Sequence, residues 1–223
     1  MRRREIRRAK RIIILCEGRT EMIAVEHFVN RRWNAEGLKS IALHPINLKA
    51  KLDDVFHNVM IFRKNPKVIA VFTLIDLYGI NRVEHNPDHS LEQKVEAVRA
   101  WLRNLFDDDL LGFFHPHVSV HEVEAWLLAD GQCIDNSIKP DPNAEQKDFQ
   151  NPPKARIDKI LRKLRRGDGY REVKDGTSMF KKARFDIVYQ SCPYFKRFYD
   201  DLKNVAQKEL NNPDGLRPKP QIS

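Results

Sequence analysis

The chain has 223 residues, 41% of them apolar and 32% charged, with a formal charge of +9. That length and balance suit one domain, or a domain with an elaborated end, whose core needs neither disulfides nor a metal. They exclude a collagen, a small disulfide scaffold and a disordered tail protein, and the positive charge turns attention to polyanionic partners.

The elements follow in order. Residues 1–11 hold seven Lys/Arg against one acid, Glu5, and form a basic arm. Ile12 to Cys16 is a short continuous apolar run, as in a strand buried on both faces. Glu17-Gly18-Arg19-Thr20 breaks it, with Thr20 as the expected N-cap of a helix over about 21–35. Met22, Val25, Val29 and Trp33 give that helix an inward stripe. Residues 41–48 read as a second strand, weakened by Pro45, and 53–63 as a helix. Residues 67–75 (KVIAVFTLI) form another apolar run that ends on Asp76. A polar loop over 79–89 leads to an amphipathic helix over 91–106. Residues 113–120 read as a fourth strand, and His121-Glu122-Val123-Glu124-Ala125-Trp126 as the start of a helix.

Strand and helix thus alternate from 12 to 130 with buried-type strands. This predicts an open, mainly parallel α/β sheet with helices on both faces. After about 131 the character changes. Turn formers, including Pro140, Pro142, Pro152 and Pro153, mark a long loop, and a helical, basic extension runs to about 210. Pro153 opens its first helix, and further helices are expected over 177–190 and 194–209. The proline-bearing tail over 211–223 is expected to be mobile. Three separated cysteines without a C-x-x-C pair fit a reducing compartment. No apolar run reaches the roughly 18–20 residues of a membrane span, so the expectation is a cytoplasmic protein.

Glu17, Asp76 and the 121–124 stretch all follow predicted strands. In open α/β sheets chemistry collects at the carboxyl ends of strands. Clustered acids repel unless a cation joins them, and Mg²⁺ takes oxygen ligands of this type. Such an ion activates water and stabilises the leaving oxygen of a phosphodiester. Glu17, Asp76 and Glu124 are therefore the candidate ligands, although spacing alone does not show that they converge. Between 147 and 184 thirteen Lys/Arg face five Asp/Glu, an excess of eight that nearly equals the whole chain's. Basic side chains of this kind hold nucleic-acid phosphates with little sequence preference. Lys154, Arg156, Lys181 and Lys182 are the expected contacts, with Arg19 near the first strand end. No phosphate-binding G-x-x-x-x-G-K-[ST] loop, dinucleotide fingerprint, serine elbow or zinc spacing occurs.

The segment Ile13-Ile14-Leu15-Cys16-Glu17-Gly18-Arg19-Thr20-Glu21 resembles the strand and Glu-Gly-x-x-Glu opening of Toprim domains, the topoisomerase–primase catalytic fold. It is nearest the defence-associated nucleases of overcoming-lysogenization-defect type. Asp76-Leu77-Tyr78-Gly79, His121-Glu122-Val123-Glu124-Ala125, Pro152-Pro153-Lys154-Ala155-Arg156 and Cys192-Pro193-Tyr194-Phe195 resemble, in that order, a bacterial Toprim-like family labelled only as a domain of unknown function. The resemblance spans about residues 10–202. It implies Glu17 as general base, general acid or metal ligand, Asp76 as a ligand, and Glu21 and Glu124 as the rest of a Mg²⁺ or Mn²⁺ shell. His121 would cap a helix, touch phosphate or ligate metal. Tyr78 stands where Toprim domains carry a second aspartate. Either Glu124 or Glu122 then supplies that oxygen, or one metal is held, or catalysis is lost and a binding or docking module remains. The implied activity is a nuclease on DNA or RNA, an anti-phage effector gated by a separate ABC-type ATPase. Oligomeric state is left open, a homodimer included.

Overall fold

The computed structural model describes residues 10–80, 83, 88–146 and 152–212. Most of the basic arm, Lys147 and nearly all of the C-terminal tail lie outside them, as does the side chain of Tyr78.

Among the described residues five parallel strands form one sheet: β1 (Lys10–Cys16), β2 (Ile41–Asn47), β3 (Val68–Asp76), β4 (Phe114–His115) and β5 (Val118–Ser119). Their order is β2-β1-β3-β4, with β5 also beside β3. On β2 Pro45 sits in register with Ile14 of β1, and among the described residues no strand pairs with the other side of β2; a residue without an N–H is tolerated at such an edge. The expected fourth strand is split into β4 and β5. Pro116 brings no N–H to the ladder, and the Thr73 side chain bridges the gap. Its hydroxyl donates to His117 O at 2.9 Å and accepts from His117 N at 2.9 Å.

Alternation along β1 divides the core in two. Ile12, Ile14 and Cys16 face one side, Ile13 and Leu15 the other. On the second side lie α2 (Asp54–Arg63), through Val55 and Val59, and α3 (Leu91–Arg103), through Val95, Val98 and Leu102. Ser90 caps α3 reciprocally with Gln93.

The first side carries α1, which runs through Arg19–Ala24, a π-helical turn over Val25–Val29, and Asn30–Ala35. Its cap is Gly18 rather than Thr20, which lies inside the first turn. Val25, Val29 and Trp33 are buried as the periodicity predicts, and Trp33 Nε1 donates to Ile41 O at 2.7 Å. Ile23 and Phe28 are buried as well. The cause is a second covering layer: the Phe28 ring meets Trp126, Phe180, Phe185 and Phe195. These come from α4 (Glu124–Asp130), α6 (Thr177–Lys182), α7 (Phe185–Ser191) and α8 (Pro193–Asn211). With α5 (Pro153–Leu164) contributing Ile157 and Leu161, the C-terminal extension completes the core on this face of the sheet. The expected 177–190 helix is broken at Ala183 and Arg184. There Asp130 accepts from Arg184 N at 2.9 Å and from Arg184 Nε at 2.8 Å.

The architecture is thus α/β, a parallel sheet covered on both faces, and it is compatible with a Toprim-like fold. No helix among the described residues is long and apolar enough to cross a membrane.

Candidate functional site

β1 and β3 end side by side, because Glu17 N still donates to Leu74 O at 3.2 Å. This places Glu17 next to Asp76, and Glu17 Oε2 accepts from Asp76 N at 2.9 Å. The carboxylate lies against the turn after β3. A Cβ on Gly79 would come within 2.4 Å of Glu17 Oε1, so glycine's missing side chain makes the room. One turn into α1, Glu21 Oε2 accepts from Gly18 N at 3.0 Å. The pairing of β5 with Ile75 and Asp76 delivers the following turn to the same edge. Glu122 Oε2 there accepts from Lys154 N at 2.9 Å, which docks the start of α5. Glu124 opens α4 and is only 2% exposed, and among the described residues its Oε1 has no hydrogen-bond partner.

These groups surround a cavity of about 450 Å³ at the carboxyl edge of the sheet. Lys154 and Arg19 also line it. So do Glu122, the alternative donor of the oxygen missing at Tyr78, and Thr20, Asn47, Lys49, Ala50 and Glu172, which sequence reading did not single out as site residues. Lys49 and Ala50 follow β2 with φ of 53° and 58°, a left-handed backbone that non-glycine residues adopt at a cost of about 1–2 kcal/mol each. Asn47 Oδ1 accepts from Lys49 N at 2.7 Å and Ala50 N donates to Glu17 O at 2.9 Å, so the strained turn is tied to the site. An Asn two residues before a strained backbone is a turn signal that the sequence carries; the reach of Glu172, far along the chain, has no local signature.

The carboxylates sense each other. Burial is the main cause that lifts Glu124 to about 8, with the charges of Glu122 and Glu21 adding to it. Glu21 rises to about 7, chiefly through burial and further through Glu17 and Glu122. Burial raises Glu17 too, opposed by the Asp76 N–H. The buried Tyr170 hydroxyl faces Glu124, whose charge adds to the burial that pushes it up, without closing a hydrogen bond of normal geometry. Among the described residues no three Asp, Glu, His or Cys side chains are drawn together at the spacing of ligands to one ion. Three of the glutamates are turned instead onto backbone N–H groups. The donor set nonetheless suits a hard cation: carboxylate oxygens only, one of them buried and unpartnered.

The remaining expected residues lie elsewhere. His121 is buried, 4% exposed, in the turn before α4 rather than on it, and does not line the cavity; its carbonyl accepts from Ser119 Oγ. The helix starts later because residues 120–123 are used in bringing the chain from β5 to α4. Arg156 turns to Asp141, with Nη2 to Oδ2 at 2.6 Å. Lys181 and Lys182 are exposed at the end of α6, away from the lining. Away from the cavity, His115 and His117 both stack on Phe72, and His117 Nε2 meets Asp201 Oδ2 at 3.0 Å.

Comparison with curated proteins and with solved structures finds no match. Residues 16–203 match a family described as "Domain of unknown function (DUF4276)", and the chain belongs to that family. The match runs from the last residue of β1 into α8, and its description carries no activity; the Toprim relation rests on the motifs alone.

Proposed function

We propose that this member of the family is a Mg²⁺- or Mn²⁺-dependent phosphodiester hydrolase, a nuclease on DNA or RNA. One observation carries the reading: carboxylates from β1, α1 and the turn into α4, together with Asp76 at the end of β3, meet at one cavity on the carboxyl edge of a parallel sheet. Glu17, Glu21, Asp76 and Glu124 would hold the ion. When bound, it supplies charge for an attacking water and for a phosphoryl oxygen. Glu17, steadied by the Asp76 N–H, keeps its carboxylate at the strand end, where a water proton can be accepted. Glu122 fixes the start of α5 and so sets where Lys154 reaches. Lys154, Lys49 and Arg19 give the rim its cations for backbone phosphates.

The test offers plasmid, single strands and tRNA to the purified chain with Mg²⁺ or Mn²⁺. Cleavage is expected to fall at least ~100-fold in Glu17→Gln and Asp76→Asn, more than the loss of an outer contact to a metal site costs. Undiminished cleavage by both variants overturns the site assignment. An effector role in phage defence, gated by a separate ABC-type ATPase, belongs to the same proposal. It is tested by co-purification with an ATPase encoded beside it.

A second reading is a module that binds nucleic acid or docks on the ATPase without cutting. It is favoured by the carboxylates' being turned onto backbone N–H groups rather than toward one another. Thermal shift separates the two, since a real ion site stabilises the folded chain by mass action. No shift at millimolar Mn²⁺ favours the module.

A further inference from the structure

The carboxylates of the cavity are not all held alike. Glu17, Glu21 and Glu122 each rest on a backbone N–H. Glu172 is held by side chains: its Oε1 pairs with Lys154 Nζ, and its Oε2 accepts from Thr20 Oγ1 at 3.4 Å. Glu172 begins a π-helical turn, Glu172–Gly176, that packs over the first turns of α1. Its side chain and that of Lys154 are both 42% exposed, and an exposed ion pair contributes little to holding its partners together.

Glu172 can leave its place without stranding a backbone N–H. Among the described residues six acids line the cavity against three cations, Arg19, Lys49 and Lys154, and those that are ionised disfavour an anionic ligand, Glu172 most directly because it occupies the Lys154 ammonium. The Lys154 ammonium pairs with Glu172 and also senses the charges of Glu124 and Glu122. A carboxylate that bridges an ammonium and a hydroxyl makes the two contacts that two oxygens of a phosphoryl group would make.

We infer that Lys154 and Thr20 form an anion subsite for one phosphoryl group at the rim of the cavity, and that Glu172 is its resident occupant, displaced when the ligand binds. The ligand's class rests on the phosphodiester reading above; the subsite itself needs no metal, which keeps the two separable.

The experiment therefore uses the full chain in EDTA, with inorganic phosphate and a short oligodeoxynucleotide offered separately and binding followed by calorimetry or ³¹P line broadening. Removing the competitor in Glu172→Gln is expected to tighten binding roughly two- to fivefold, the range set by the worth of an exposed ion pair. The gain is lost when Lys154→Met or Thr20→Val is added to Glu172→Gln, with circular dichroism confirming that each variant folds. A gain with phosphate alone assigns the subsite to a free or terminal phosphate, and a gain with both ligands to a backbone phosphoryl group. The inference is overturned if Glu172→Gln binds neither ligand more tightly than the parent up to tens of millimolar. It is overturned equally if the gain survives both added substitutions. Metal-induced stabilisation, measured apart, can fail without touching this result.

Discussion

Replacing Gly79 by Ala perturbs the site while leaving every candidate ligand in the sequence. Gly79 does not have a left-handed backbone, so alanine is accommodated and narrows the unfolded ensemble, worth about 0.4–1 kcal/mol. Its Cβ, however, would stand 2.4 Å from Glu17 Oε1 and 2.8 Å from Oε2. The carboxylate is the mobile partner, so it swings away and gives up the 2.9 Å bond from Asp76 N. A hydrogen bond to a charged group contributes about 1.5–3 kcal/mol, at the low end here because Glu17 is only half-buried. The net cost to the ion-free protein is about 1 kcal/mol, or about 2–4 °C in Tm for a chain of this size. The effect on the ion is larger in proportion. With Mn²⁺ at a hundred times its Kd the parent gains about 2.7 kcal/mol, and a tenfold loss of affinity cuts that to about 1.4 kcal/mol. Paired thermal scans with Mn²⁺ and with EDTA give both quantities. A Gly79→Ala protein whose Mn²⁺ increment equals the parent's refutes Glu17 as a ligand in this place.

Two further predictions concern the frame. Glu145 is 1% exposed and accepts from Tyr194 N, Phe195 N and Trp126 Nε1, pinning the loop before α5 to the start of α8. Burial lifts its carboxyl to about 7. Its stabilising contribution is therefore complete below pH 4.5 and lost as pH rises through about 7, by about 3 kcal/mol in all. Glu145→Gln does not titrate, so urea unfolding should show the variant about 2–3 kcal/mol worse off relative to the parent at pH 5 than at pH 8; an equal difference at both values rejects the assignment. Thr73→Val keeps the side-chain shape but leaves the buried N–H and C=O of His117 without the hydroxyl that serves both. The expected loss is about 2–4 kcal/mol in urea unfolding, and a loss under about 1 kcal/mol means that the hydroxyl does not hold the split strand.

Much of the frame was legible because it depends on local pattern. The apolar runs of β1 and β3 suit doubly buried strands and form them, and Pro153 marks the first turn of α5 as predicted. Glu17 and Asp76 were placed by ending such runs, and the structure sets them one hydrogen bond apart. What the pattern could not supply was tertiary. Thr20 reads as a cap, but Gly18 takes that place because Glu21 reaches back to its N–H. His121 reads as helical, but the crossing from β5 consumes it. The positive charge between 147 and 184 reads as one surface. In the fold Lys154 turns to the cavity, Arg156 to Asp141 and Arg165 to Asp175, while Lys181 and Lys182 stay in solvent. Which cation meets the site depends on the helix phase of α5, and that is set by Ile157 and Leu161 in the core.

The energetics of position 124 argue that the cavity serves something other than the fold. A single acid at the start of a helix is favoured by the dipole, and Glu124 would gain that much while exposed. Here it is buried, faces the charges of Glu122 and Glu21, and has one oxygen without a partner. Each of these opposes folding: a buried unsatisfied oxygen costs about 1–3 kcal/mol before the repulsion is added. Glu21, nearly as buried, adds the same kind of cost. Glu21 caps α1 through the Gly18 N–H, which a glutamine could also do without the charge, and Glu124 has no such contact at Oε1. The strained turn at Lys49 and Ala50 falls at the same rim. Uncompensated charge and backbone strain thus coincide at one edge of the sheet, and a cation entering there relieves the first of them directly.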